Sequence, residues 1–155
     1  MDPAGFAAEL RELRASFVTL ERCGALRGCI GTIEAHRALV VDVAENAFAA
    51  AFSDPRFAPL ARHELADLEV RVSLLSPLER LAAVSEAALL AQLRPGIDGL
   101  VLRVGATRAT FLPAVWEDLP EPTAFLRALL RKAELPESDW PRGAELWRYT
   151  VRDAR

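Results

Sequence analysis

A chain of 155 residues, 52% of them hydrophobic, can bury a sizeable core and is too apolar to stay disordered. Its net charge of −3 and pI near 5.5 argue against a general nucleic-acid binder, which displays a basic face. No apolar run approaches the ~18 residues of a membrane span, and Asp2 and Glu9 stand where a secretory signal would be basic and then apolar. Two cysteines without a disulfide framework fit a reducing, cytoplasmic setting. Eighteen of the 19 basic residues are arginine, Lys132 being the one lysine. Beside so much alanine, that reads as compositional bias more than phosphate recognition.

In chain order, Asp2 to Leu13 has Phe6, Leu10 and Leu13 at helical spacing, with Pro3 tolerated in the first turn. Ser16 to Glu21 reads as a strand. Cys23-Gly24-Ala25 turns it into a second strand running to Ile33. From Ala38 to Phe52 the period becomes helical, with Val40, Val43, Ala44, Ala47, Phe48 and Ala51 as the apolar stripe, and Ser53-Asp54-Pro55 stops it. Leu68 to Leu75 alternates cleanly, with Leu68, Val70, Val72 and Leu74 on one face and Glu69, Arg71 and Ser73 on the other. Ser85 can cap a helix to about Leu93, broken by Arg94-Pro95-Gly96. Leu100–Val104 and Arg108–Leu112 flank a hairpin turn at Gly105-Ala106-Thr107. Thr123 to Leu135 is a helix with Phe125, Leu126, Leu129, Leu130 and Ala133 inward, and Trp147, Tyr149 and Val151 alternate in a terminal strand. Six strands, at least two of them hairpin-paired, with helices between pairs, give an α+β fold with a mostly antiparallel sheet.

The stretch with most chemistry is Leu26-Arg27-Gly28-Cys29-Ile30-Gly31. Alternation places Leu26 and Ile30 toward a core and Arg27 and Cys29 on the opposite face. Glycine within a strand marks a bulge or a close approach of another group, so Gly28 and Gly31 are candidate ligand contacts as well as packing positions. Cys29 has two readings: a thiolate nucleophile stabilised by the nearby Arg27 charge, or an inert, buried small residue. In Asp54-Pro55-Arg56-Phe57, Arg56 can clamp a carboxylate or phosphate while Asp54 orients it. Alternatively, the two simply pair with each other and Phe57 anchors the loop. Cys23 belongs to the turn. His36 and His63 lack metal-ligand spacing to each other or to Cys29, and no phosphate-loop pattern occurs, so neither metal nor cofactor is expected. Lys132 suits the last turn of its helix, and Trp116, Trp140 and Trp147 suit packing better than base stacking.

Phe17-Val18-Thr19-Leu20, Leu26-Arg27-Gly28-Cys29-Ile30-Gly31, Asp54-Pro55-Arg56-Phe57 and Val72-Ser73-Leu74-Leu75-Ser76-Pro77 form a distinctive series. Leu93-Arg94-Pro95-Gly96, Asp98-Gly99-Leu100, Ala109-Thr110-Phe111-Leu112-Pro113 and Lys132-Ala133 continue it. In this order the motifs resemble the AMMECR domain family, in particular its members in the bacterial and archaeal AmmeMemoRadiSam system. The resemblance implies a single, two-lobed α+β domain over residues 1–155. It also implies association with a radical SAM enzyme and a Memo-like protein, and no particular reaction. Family members carry a further helix upstream, so part of the N-terminal layer is expected to be absent. They also favour glycine after Lys-Ala, where this chain has Glu134, so that helix end is expected to differ.

Two functions follow as expectations. One is a non-enzymatic partner that binds a substrate and presents it to the other proteins of the system. The other is an enzyme in which Cys29 attacks an anionic small molecule or protein group held by Arg27, Gly28, Gly31, Asp54 and Arg56. Neither expectation involves nucleic acid or a membrane.

Overall fold

The structure, a computed structural model, describes residues 2–154. Its strands are β1 (Ser16–Arg22), β2 (Ala25–Gly31), β3 (Leu68–Leu75), β4 (Glu79–Leu81), β5 (Gly99–Val104), β6 (Thr107–Phe111), β7 (Glu145–Tyr149) and β8 (Val151–Ala154). The α-helices are α1 (Ala8–Arg11), α2 (Leu39–Phe52), α3 (Glu86–Leu90) and α4 (Pro122–Lys132). Two compact units result, Met1–Pro77 with Arg152–Arg155, and Leu78–Val151. The α+β class stands, but the expected sheet is two four-stranded sheets, ordered β2-β1-β3-β8 and β4-β7-β5-β6. No helix among the described residues is long and apolar enough to cross a membrane.

In the first unit β1 and β2 form the expected hairpin, closed by Cys23 and Gly24 at φ 52° and 75°. Two successive left-handed residues make the tight turn whose twist matches the strands it joins. β1 pairs antiparallel on its other side with β3. Helix α2 covers the face made by Val18, Leu20, Ile30, Leu68 and Val72, placing Val43, Ala47, Ala50 and Ala51 against them. Gly28 permits this closeness, because a Cβ there would sit 2.1 Å from the Ala50 carbonyl oxygen.

Helix α2 is turned from the expected orientation. Phe48 points outward, whereas Asp42 and Asn46 are buried. A helix apolar nearly all round leaves its inward face undetermined by periodicity, and here polar partners decide it. Asp42 and Asn46 meet the Ser16 backbone and hydroxyl, tying the helix to the start of β1. Leu26, expected in the core, is exposed near the turn. The expected N-terminal helix is a 3-10 turn over Pro3–Gly5, capped by Asp2, followed by the single turn of α1.

In the second unit α4 packs its expected residues, Phe125, Leu126, Leu129, Leu130 and Ala133, into the core. Trp116 stacks on Phe125 with centroids 3.8 Å apart and donates its indole N–H to the Asp98 carbonyl at 2.7 Å. Burial without that partner would leave a costly unsatisfied donor. Ser85 caps α3 as expected, although the helix is shorter. The terminal strand divides at Thr150, β7 entering this sheet and β8 the other.

The α4 end keeps its left-handed cap despite the missing glycine. Glu134 adopts φ 57°, and the Leu135 N–H reaches the Leu130 carbonyl at 2.9 Å. Left-handed backbone costs a non-glycine residue about 1–2 kcal/mol, part of which glycine returns as unfolded-state entropy. Glu134→Gly is therefore expected to stabilise the protein by about 1 kcal/mol, raising Tm by roughly 2–4 °C in a thermal melt. An unchanged or lowered Tm would contradict this account of the cap.

Candidate functional site

The site gathers on the outer edge of β2. The hairpin register runs regularly from Arg22↔Ala25 to Glu21↔Leu26, then skips to Leu20↔Gly28, leaving Arg27 unpaired in a bulge. A bulge re-aims a side chain. The Arg27 guanidinium reaches Glu64, Nε to Oε1 at 2.7 Å and Nη2 to Oε2 at 2.9 Å, and Nη2 also donates to the Ala58 carbonyl at 3.0 Å. Glu64 sits in the 3-10 turn over Arg62–Asp67 and also accepts the Ala61 N–H at 2.7 Å. Its carboxyl is held down to about 2, chiefly by the Arg27 hydrogen bond, while the Arg27 pKa is raised chiefly by the same bond. Arg27 thus fastens the loop after α2 to the strand. Its Nη1 is buried without a hydrogen-bond partner among the described residues.

The same bulge sets the neighbours of Cys29. It shifts the pairing by one residue, so Thr19 lies opposite Cys29, with its hydroxyl oxygen 3.3 Å from Sγ. The Cys29 backbone faces outward from an edge strand, and the Asp54-Pro55-Arg56-Phe57 loop satisfies it with side chains. The Cys29 N–H donates to Asp54 Oδ2 at 2.9 Å, and its carbonyl accepts from Arg56 Nη2 at 3.3 Å. Asp54 is buried and grips Arg56 from Nε to Oδ1 at 2.9 Å and from Nη2 to Oδ2 at 2.7 Å. The Arg56 hydrogen bond, foremost, holds the Asp54 carboxyl well below the usual carboxylate range against the opposing effect of burial. The Arg56 pKa is correspondingly raised, chiefly by the hydrogen bond to Asp54.

Asp54, Arg56 and Cys29 therefore come together as one group, with Phe57 between the two guanidinium groups, 5.9 Å from Arg27 and 5.5 Å from Arg56. The Arg56 side chain is 54% exposed, and its Nη1 makes no hydrogen bond among the described residues. Such a fork has one edge fixed by a carboxylate and another able to meet an incoming anion. Gly28 is occupied on its helix side by Ala50, and Gly31 lies under the Phe17 ring, where a Cβ would meet Cγ at 2.2 Å.

Sequence reasoning missed Glu64 and Thr19. Glu64 lies 37 positions from Arg27, a separation at which no local spacing speaks. Thr19 would have been found only by knowing the bulge. His36 places Nδ1 on the Glu34 carbonyl, and Thr19 is the one side chain hydrogen-bonded to Cys29 Sγ among the described residues. Among those residues no group of three or more His, Cys, Asp or Glu is placed to hold a metal ion. Cys23 is an exposed free thiol.

The AMMECR1 family profile matches residues 2–154. A protein of Methanothermobacter thermautotrophicus is 42% identical over 127 residues, covering 81% of this chain and 66% of the relative. One from Thermotoga maritima is 39% identical over 146 residues, covering 92% and 79%. The chain thus spans just under two thirds of the first relative's length and about four fifths of the second's. The crystal structure of the uncharacterized protein PH0010 from Pyrococcus horikoshii superposes with a TM-score of 0.90 at 30% identity, covering 99% of this chain and 79% of that one. With nearly every residue inside the family profile, and the fold shared as well, the chain belongs to the AMMECR1 family.

Proposed function

We propose that this protein is a binding partner rather than a cysteine enzyme. It holds an anionic group of a substrate at Arg56, beside Cys29, and presents it to the radical SAM enzyme and the Memo-like protein of the AmmeMemoRadiSam system. The observation that carries the binding half is the Asp54–Arg56 pair, a guanidinium fixed by a buried carboxylate with its remaining edge exposed. Among the described residues the side chain hydrogen-bonded to the Cys29 thiol is a threonine hydroxyl, not a base of the kind nucleophilic catalysis uses. Support for the partner half comes from the resemblance of the sequence motifs to the members of that system.

The test is pull-down of the two system proteins, together with the metabolite profile of deletion strains complemented with variants. Arg56→Ala is expected to weaken ligand-dependent function roughly ten- to a hundredfold, the worth of a hydrogen bond to a charged group of about 1.5–3 kcal/mol. Cys29→Ser should retain it. If Cys29→Ser abolishes function completely while Cys29 alkylates faster than the exposed Cys23, the protein is a cysteine enzyme instead. Deletion profiles unrelated to those of the radical SAM enzyme would remove the partner assignment.

A further inference from the structure

The second unit repeats the construction found at Arg56. In Leu93-Arg94-Pro95-Gly96-Ile97-Asp98 the Asp98 side chain is fully buried, while the Arg94 side chain is 49% exposed. Asp98 accepts the Arg94 backbone N–H at 2.9 Å. It also grips the Arg94 guanidinium, from Nε to Oδ1 at 3.1 Å and from Nη2 to Oδ1 at 2.6 Å. The loop is closed beneath this pair. The Ile97 and Asp98 N–H groups donate to the Arg94 carbonyl, and the Trp116 indole holds the Asp98 carbonyl from the core side. Asp98 thus takes the guanidinium edge that carries Nε, and Nη1 on the opposite edge makes no hydrogen bond among the described residues.

A second guanidinium stands at the base of this loop. Arg148 of β7 donates from Nη1 to the carbonyl of Gln92, two residues before Arg94, at 2.9 Å. Its Nε and Nη2 are held by Glu79 across the β4–β7 pair, at 2.9 and 2.6 Å. Arg148 is near enough that its charge opposes the rise in the Arg94 pKa, which the Asp98 hydrogen bond chiefly produces. We infer that Arg94 and Arg148 form a phosphate-binding site of the second unit, with the open edge of Arg94 as its bidentate donor.

Each guanidinium is pinned along one edge by a carboxylate, so little ordering remains to be done when a ligand arrives. A fork fixed in this way offers parallel N–H groups to two oxygens of one anion. The second guanidinium selects phosphate, whose further charge and third oxygen a carboxylate lacks. The paired carboxylates do not obstruct it. Asp98 is buried behind Arg94, and Glu79 has both oxygens on Arg148. The four charges sum to zero, so attraction comes from the placement of the donors and not from a basic patch. Every residue of the site lies in the second unit, and it stands whether or not Arg56 holds a ligand.

Titration of the isotope-labelled whole chain with inorganic phosphate, followed by NMR at constant ionic strength, tests this. The backbone amides from Arg94 to Asp98 and the Arg94 Nε–H should shift saturably. Acetate should bind there at least about tenfold more weakly, having lost a charge-assisted hydrogen bond. Arg94→Lys keeps a cation beside Asp98 but removes the fork, and should weaken phosphate by about tenfold. Arg131 is the internal control, since it is 70% exposed and gripped along the same edge by Glu137, a partly exposed carboxylate. Its Nε–H should not respond saturably. The Arg56 Nε–H is read in the same spectra, so failure at either site is seen apart from the other. The inference is overturned by the absence of a saturable shift from Arg94 to Asp98, or by an equal response at Arg131. Acetate binding as tightly as phosphate, or undiminished binding in Arg94→Lys, would also overturn it.

Discussion

Replacing Asp42 by alanine is expected to destabilise the protein by about 3–5 kcal/mol, the scale for removing one partner of a buried charged pair. Asp42 is 1% exposed. Its Oδ2 accepts from the Ser16 N–H at 2.9 Å, the Ser16 hydroxyl at 2.6 Å and Asn46 Nδ2 at 2.9 Å. The Thr32 hydroxyl lies within reach of both carboxylate oxygens, and Arg37 Nε donates to Oδ1 at 2.7 Å. Alanine would leave the Ser16 N–H without its acceptor and the half-buried Arg37 charge to Glu45 alone, each costly in a low-dielectric interior. A fall in Tm of roughly 10 °C follows from that free energy. Asp42→Asn keeps the shape but turns an NH₂ toward donors, so it should recover only part of the loss. An Asp42→Ala variant within about 1 kcal/mol of the parent in urea denaturation would show that the network contributes little.

Gly28→Ala should be nearly as damaging for a different reason. The added Cβ would lie 2.1 Å from the Ala50 carbonyl oxygen and 3.0 Å from its carbon, both backbone atoms that no rotamer change can move. Helix α2 must lift from the sheet or β2 must bend, and we expect a cost of about 3 kcal/mol or more, at the upper end for overpacking. Gly31→Ala is the comparison, because its clash is with the half-buried Phe17 ring, which can rotate aside, so the cost should be smaller. Ala50→Gly should fail to rescue Gly28→Ala, since it removes a methyl group and leaves the carbonyl. Rescue in that double variant would place the clash in the side chain and refute the explanation.

Legibility in the sequence followed how locally each feature is determined. β3 was readable to its end residues because alternation of Leu68, Val70, Val72 and Leu74 needs no partner to be seen. The hairpin and α4 were readable for the same reason. β4 is three residues, Glu79–Leu81, with no period to detect, and it exists because it pairs with β7. Tyr149 and Val151 keep alternating across Thr150, so nothing in the pattern announces that the chain changes sheets there. At the site, Asp54, Arg56 and Cys29 stood out as residue types on a loop and a strand, and the fold joins them. Arg27 was assigned to Cys29 by simple alternation, which the bulge breaks, so its charge goes to Glu64 instead.

The division of the chain bears on the order in which it folds during synthesis. The first unit is interrupted after Pro77 and completed only by Arg152–Arg155, whereas the second runs unbroken from Leu78 to Val151. A sheet whose last strand is β8 waits at the ribosome with the β3 edge unpaired while more than seventy residues are translated. Until β8 arrives, the waiting edge is open to pairing with other nascent chains, and the short, charged Arg152-Asp153 end, docking through Asp153 on Ser73 at 2.6 Å, is what seals it.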